Sequence, residues 1–85
     1  MPKASERLIE GLASNLLGRC SEVTIDYTVR LPKVTLDLTG QKGYAPGPKV
    51  QERIVDWDRS GQIWKHIYHD PAGNSAVIRI KGERR

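Results

Sequence analysis

The segment from Glu22 to Arg30 alternates strictly between polar and apolar side chains, and it constrains the fold more than any other part of the chain. Successive side chains of a strand project to opposite faces. Val23, Ile25, Tyr27 and Val29 therefore share one face, while Glu22, Thr24, Asp26, Thr28 and Arg30 share the other. Residues 34–39 repeat the pattern, with Val34, Leu36 and Leu38 set against Thr35, Asp37 and Thr39. Leu31-Pro32-Lys33 joins the two runs, and Pro32, which has no amide proton for a ladder, suits a turn. Two strands with one dry and one wet face need an apolar cover on the dry side.

The N-terminal segment supplies that cover. Residues 4–18 read as an amphipathic helix in which Leu8, Leu12 and Leu16 recur every four positions beside Ile9, Ala13 and Leu17. Ser5 suits the N-cap, Glu6 the first turn, and Gly18 followed by Arg19 the C-terminal end. Gly11 costs such a helix about 1 kcal/mol relative to Ala, or admits close approach by another element.

Residues 40–49 contain three Gly and two Pro, which opposes both helix and strand and predicts a loop. Beyond it the chain reads as a meander of strands over 50–57, 62–69 and 75–81. The turns fall at Asp58-Arg59-Ser60-Gly61 and at Asp70-Pro71-Ala72-Gly73-Asn74. The expected fold is a single α+β domain spanning 1–85, its N-terminal helix packed on one face of a mainly antiparallel, about five-stranded sheet.

Bulk properties narrow the function classes. A chain of 85 residues buries only about 60–65% of its unfolded surface. A disulfide framework cannot reinforce it, because Cys20 is the sole cysteine. Hydrophobic residues at 38% and charged residues at 28% describe a globular rather than a disordered chain. No apolar run approaches the roughly 18 residues of a membrane span, and polar residues interrupt the N-terminal segment too often for a signal peptide. The expectation is a cytoplasmic protein with no membrane partner. Its net charge of +4 leans toward anionic partners.

The richest stretch for function is Gln62 to Asp70, which holds Trp64, His66, Tyr68 and His69. Read as a strand, it places Ile63, Lys65, Ile67 and His69 on one face and Trp64, His66 and Tyr68 on the other. Even-numbered hairpin loops on either side then fix the partners by parity. Ile54, Ile63, Ile67, Ala76, Ile78 and Ile80 fall on a core face, where Asp56 and Lys65 would meet as an ion pair if the loop at Ser60-Gly61 has two residues. Arg53, Trp57, Trp64, His66, Tyr68, Arg79 and Lys81 gather on an open aromatic and basic face.

Such a face has two binding readings and one catalytic reading. Trp, Tyr and Arg are favoured anchors of protein interfaces, so the leading expectation is a small non-enzymatic protein that contacts a protein partner or its own copy. It would act as an accessory or inhibitory factor of the kind viral and mobile-element genes encode. The alternative is single-stranded nucleic acid, with Trp57, Trp64 and Tyr68 stacking on bases and Arg53, Arg79 and Lys81 meeting phosphates. The third reading is a metal-free ribonuclease with His66 as base and Arg79 and Lys81 stabilising phosphate charge. A metal or cofactor site is not expected, since His66 and His69 would face opposite sides of a strand and Cys20 is the only thiol. The glycine-rich loop lacks the ending of a phosphate-binding loop.

Overall fold

The computed structural model describes residues 4–67 and 76–84. The fold is α+β, with an N-terminal helix and a mixed four-stranded sheet. Helix α1 runs Ala4–Arg19, with Glu6 in its first turn and Arg19 in its last. It passes directly into strand β1, Cys20–Asp26, which pairs antiparallel with β2, Lys33–Leu38. Strand β3, Gln41–Tyr44, returns beside β2, and helices α2 (Pro48–Ser60) and α3 (Ile63–His66) follow. Strand β4, Val77–Lys81, then enters parallel to β1, giving the order β3-β2-β1-β4.

The alternating run predicts the centre of the sheet correctly. Val23 lies between Leu36 and Ile78, and Ile25 between Val34 and Ile80, all on the inner face. Val23, Ile25, Val34 and Leu36 are fully buried, and Ile78 and Ile80 are partly covered against them. The strand stops sooner than the alternation does. Tyr27 is still buried, but Val29 is 42% exposed in the connection between β1 and β2.

Two expected strands are helices, and the sheet is therefore neither five-stranded nor mainly antiparallel. The 50–57 run combines β-branched and aromatic residues that favour strands with a spacing that suits a helix. Ile54, Val55, Trp57 and Asp58 are buried, whereas Lys49, Glu52, Asp56 and Arg59 are exposed, a period of 3.6 rather than 2. The ends of α2 carry the matching signals. Pro48 opens it after Gly47, and Gly61 closes it in the left-handed region at φ 76°. The Gly61 amide donates to the Asp58 carbonyl at 3.2 Å and the Gln62 amide to the Trp57 carbonyl at 2.8 Å, so the supposed hairpin turn is a helix cap.

The 62–69 segment differs for the same reason. Ile63 and Ile67 are both buried, four residues apart, and the Ile67 amide donates to the Ile63 carbonyl at 3.2 Å. Asp56 and Lys65 lie exposed on separate helices instead of facing each other across a ladder. The expected loop at 40–49 contains β3, entered through a tight turn at Thr39-Gly40 with Gly40 at φ 80°. Tyr68, His69 and the expected turn at 70–74 lie outside the described residues.

All three helices cover the inner face of the sheet. Ala13 and Leu17 of α1, Ile54, Val55 and Trp57 of α2, and Ile63 of α3 join the sheet residues in one core. The Gln51 side chain ties α2 to the sheet, accepting from the Val34 amide at 3.0 Å and donating to the Pro46 carbonyl at 2.7 Å. The leucine stripe of α1 is broader than the core can use. Leu16 packs against the core, but Leu8 is 67% and Leu12 48% exposed. Among the described residues no helix is long and apolar enough to cross a membrane.

Candidate functional site

The residues expected on one aromatic and basic sheet face are divided among three elements. Arg53 and Trp57 lie on α2, Trp64 and His66 on α3, and Arg79 and Lys81 on β4. The helical rise brings Trp57 and His66 together by a different route. Trp57 is buried, and the His66 ring stacks on its indole with centroids 3.6 Å apart and planes 15° off parallel. Ser14 of α1 hydrogen-bonds His66 Nδ1 through its Oγ at 2.9 Å. Beside this stack, Arg53 lies 3.8 Å from Glu10.

These contacts join α3 to both longer helices. Burial holds the His66 pKa below the ordinary histidine value, Glu10 opposes the shift and Lys65 adds to it. The lowered pKa favours the neutral imidazole, whose Nδ1 accepts from the Ser14 hydroxyl when the ring proton sits on Nε2.

Arg79 and Lys81 are placed elsewhere. They alternate with Ile78 and Ile80 on β4 and therefore project from the outer sheet face, away from the helices that hold His66. Arg79 Nε meets Glu22 Oε1 at 2.6 Å there. His66 is thus not grouped with Arg79 and Lys81. Lys49, Glu52, Arg53 and Asp56 instead line, with Ile9, a groove of about 220 Å³ between α1 and α2 that mixes both signs of charge.

Among the described residues, Trp64 is the expected aromatic site residue that the fold presents to solvent, as it does the basic Arg79 and Lys81 on β4. It sits one residue from the buried Ile63, is 54% exposed, and has the exposed Lys65 as its neighbour. Among the described residues no group of histidine, cysteine and acidic side chains is arranged to hold a metal ion.

A second polar cluster has no counterpart in the sequence reading. The Asp58 side chain is fully buried at the C-terminal end of α2. Its Oδ2 accepts from the Tyr27 hydroxyl at 2.5 Å and from Arg84 Nε at 2.9 Å. Oδ1 is buried with no hydrogen-bond partner among the described residues. The Arg59 guanidinium lies 5.9 Å from the Tyr27 ring centroid. Burial, followed by the bond to Asp58 and its charge, pushes the Tyr27 phenol up to about 12. The same carboxylate raises the Arg84 pKa. Sequence reasoning missed Asp58 because a turn was assigned to it. Its position one residue after Trp57 on the buried stripe of a helix is the signal that reveals it.

No protein-family model, curated protein or solved structure matches the chain.

Proposed function

We propose that this chain is a small non-enzymatic binding protein that contacts a protein partner through Trp64. The observation that carries the reading is the exposure of a tryptophan on a helix whose other side is anchored in the core. Trp64 is 54% exposed, while Ile63 and Ile67 on either side are buried. A large, rigid aromatic side chain presented in this way is the residue type that contributes most at protein interfaces. Its backbone is preorganised by the Trp57–His66 stack and the Ser14 bond, which reduces the ordering cost of association.

The test is affinity capture from the source cells with quantified recovery. Wild-type protein is expected to retain a defined protein at raised salt. Trp64→Ala is expected to weaken that binding about 30-fold, the consequence of losing an anchor worth roughly 2 kcal/mol. Leu8→Ala, which removes a comparably exposed apolar side chain on α1, should leave it intact. Equal retention by Trp64→Ala, or retention that nuclease or moderate salt abolishes, overturns the reading.

A further inference from the structure

The connection between β1 and β2 forms a protruding tip with an apolar apex. Leu31 is 79% exposed, the largest exposure among the large hydrophobic residues described, and Val29 is 42% exposed. The exposed Arg30 stands between them and Pro32 follows Leu31, so the apex carries two aliphatic side chains and one cation and has no aromatic ring. Single exposed leucines are ordinary on protein surfaces, and what distinguishes this one is the charge arranged behind it.

Lys33 and Lys81 flank Asp26 on the two neighbouring strands, forming a row across the end of the sheet. Arg59 and Arg84 cluster around Tyr27 at the same end, on the helix side. Cations therefore surround the base of the tip on both faces of the sheet. Two of the neighbouring carboxylates are already engaged. Asp58 is buried and bonded to Tyr27 and Arg84. Asp26 accepts from the Thr28 amide at 2.8 Å and from the Thr28 hydroxyl. Those bonds, and then Lys81 and Lys33, hold its pKa below the ordinary carboxyl value. Glu83 is exposed in the tail beyond β4.

The geometry points to a second interaction surface: the 28–32 tip docks on an anionic lipid bilayer, with Val29 and Leu31 entering the headgroup boundary and the basic collar meeting the phosphates. Lys33 follows Leu31 by two residues and Tyr27 precedes Val29 by two, a setback of at most roughly 7 Å, the reach of two extended residues. Interfacial segments bury their apolar side by about 5–10 Å, so the collar and apex match the layering of phosphate above hydrocarbon. A nucleic acid backbone has no apolar layer for a convex aliphatic apex, and the apex has no ring to stack on a base. A protein partner would need a pocket shaped for the tip. The base is well ordered for insertion through the bonds of Thr28 to Asp26, and the Tyr27 amide donates to the Lys81 carbonyl at 2.9 Å. The inference departs from the expectation of no membrane partner.

Sedimentation with lipid vesicles tests the inference, using pure phosphatidylcholine and an equimolar mixture with phosphatidylglycerol. The full chain is expected to bind the mixed vesicles and not the neutral ones. Leu31→Asn should reduce binding about tenfold through the lost apolar burial. Lys33→Gln and Lys81→Gln should each reduce it about fivefold. Trp64→Ala should leave it unchanged, which separates this surface from the protein-binding reading. Because Leu31 is so exposed, Leu31→Asn is expected to melt at the wild-type temperature, so lost binding is not lost folding. Absence of preference for anionic vesicles overturns the inference. So does undiminished binding by Leu31→Asn, or a single-stranded oligonucleotide that binds with the lysines required and Leu31 irrelevant.

Discussion

Replacing Tyr27 by Phe removes one oxygen from the core and leaves a buried carboxylate with one donor fewer. The Tyr27 hydroxyl reaches Asp58 Oδ2 at 2.5 Å, and Oδ1 of the same group has no partner among the described residues. A hydrogen bond to a charged group contributes about 1.5–3 kcal/mol. For a domain of this size about 1 kcal/mol moves the melting temperature by roughly 4–8 °C, so Tyr27→Phe should melt on the order of 10 °C lower. The ionisation of the hydroxyl adds a pH signature. The phenol is raised from its ordinary 10.0 to about 12. Burial is the largest cause and the bond to Asp58 the next, so the shift sets the pH range in which stability is lost in alkali.

The sign follows from linkage. The folded state holds the Tyr27 proton more tightly than the unfolded chain does, so the stabilisation is complete below pH 10 and is lost as pH rises toward about 12. Urea melts of wild type and Tyr27→Phe across that range should show a constant gap at neutral pH that closes in alkali. Taking the difference removes the contribution of the lysines, which titrate in both proteins. A gap that stays open through pH 12, or a variant as stable as wild type at neutral pH, refutes the reasoning. Arg84→Ala should cost less than Tyr27→Phe, because the Arg84 side chain is 55% exposed and its ion pair is screened by water.

Three other substitutions test the packing. His66 has a lowered pKa, so its stabilising contribution is present above the unfolded value of 6.5 and is lost as pH falls below it. His66→Gln should flatten that acid slope in denaturant melts, and an unchanged slope counts against a buried neutral ring. Gly82 lies at φ 78°, with an added Cβ only 2.9 Å from Thr28 Cγ2. Gly82→Ala should therefore destabilise by about 1–2 kcal/mol, and Thr28→Ser in that background should recover only the steric part. Gly11 lies inside α1 with nothing within 4 Å of an added Cβ. Gly11→Ala should raise stability by about 1 kcal/mol in a thermal melt.

The errors in the sequence reading share one physical origin. In 50–57 the residues that favour strands are real, but their burial follows the helical period, and Pro48 and Gly61 mark the helix ends. Hairpin parity applied to helical segments then groups Trp57, Trp64 and His66 on one sheet face with Arg79 and Lys81, which the helices separate. A strand reading puts Trp57 and Trp64 on one open face, whereas one is buried against His66 and the other faces solvent. The aliphatic half of the same reading fared better. Ile54, Ile63, Ile67 and Ala76 are buried in the structure, because apolar side chains leave water whichever element carries them.

Helix α1, the alternating pair β1 and β2, and the identity of much of the core are legible in the residues alone. Those features depend on local period and on transfer of side chains from water, and both are written in adjacent residues. Packing alone sets β4 parallel beside β1, shares Asp58 between Tyr27 and Arg84, and covers Trp57 while leaving Trp64 exposed. Each joins segments more than twenty residues apart or depends on which side of a helix meets the sheet. Such pairings arise when whole elements pack, and no short window of residues specifies them.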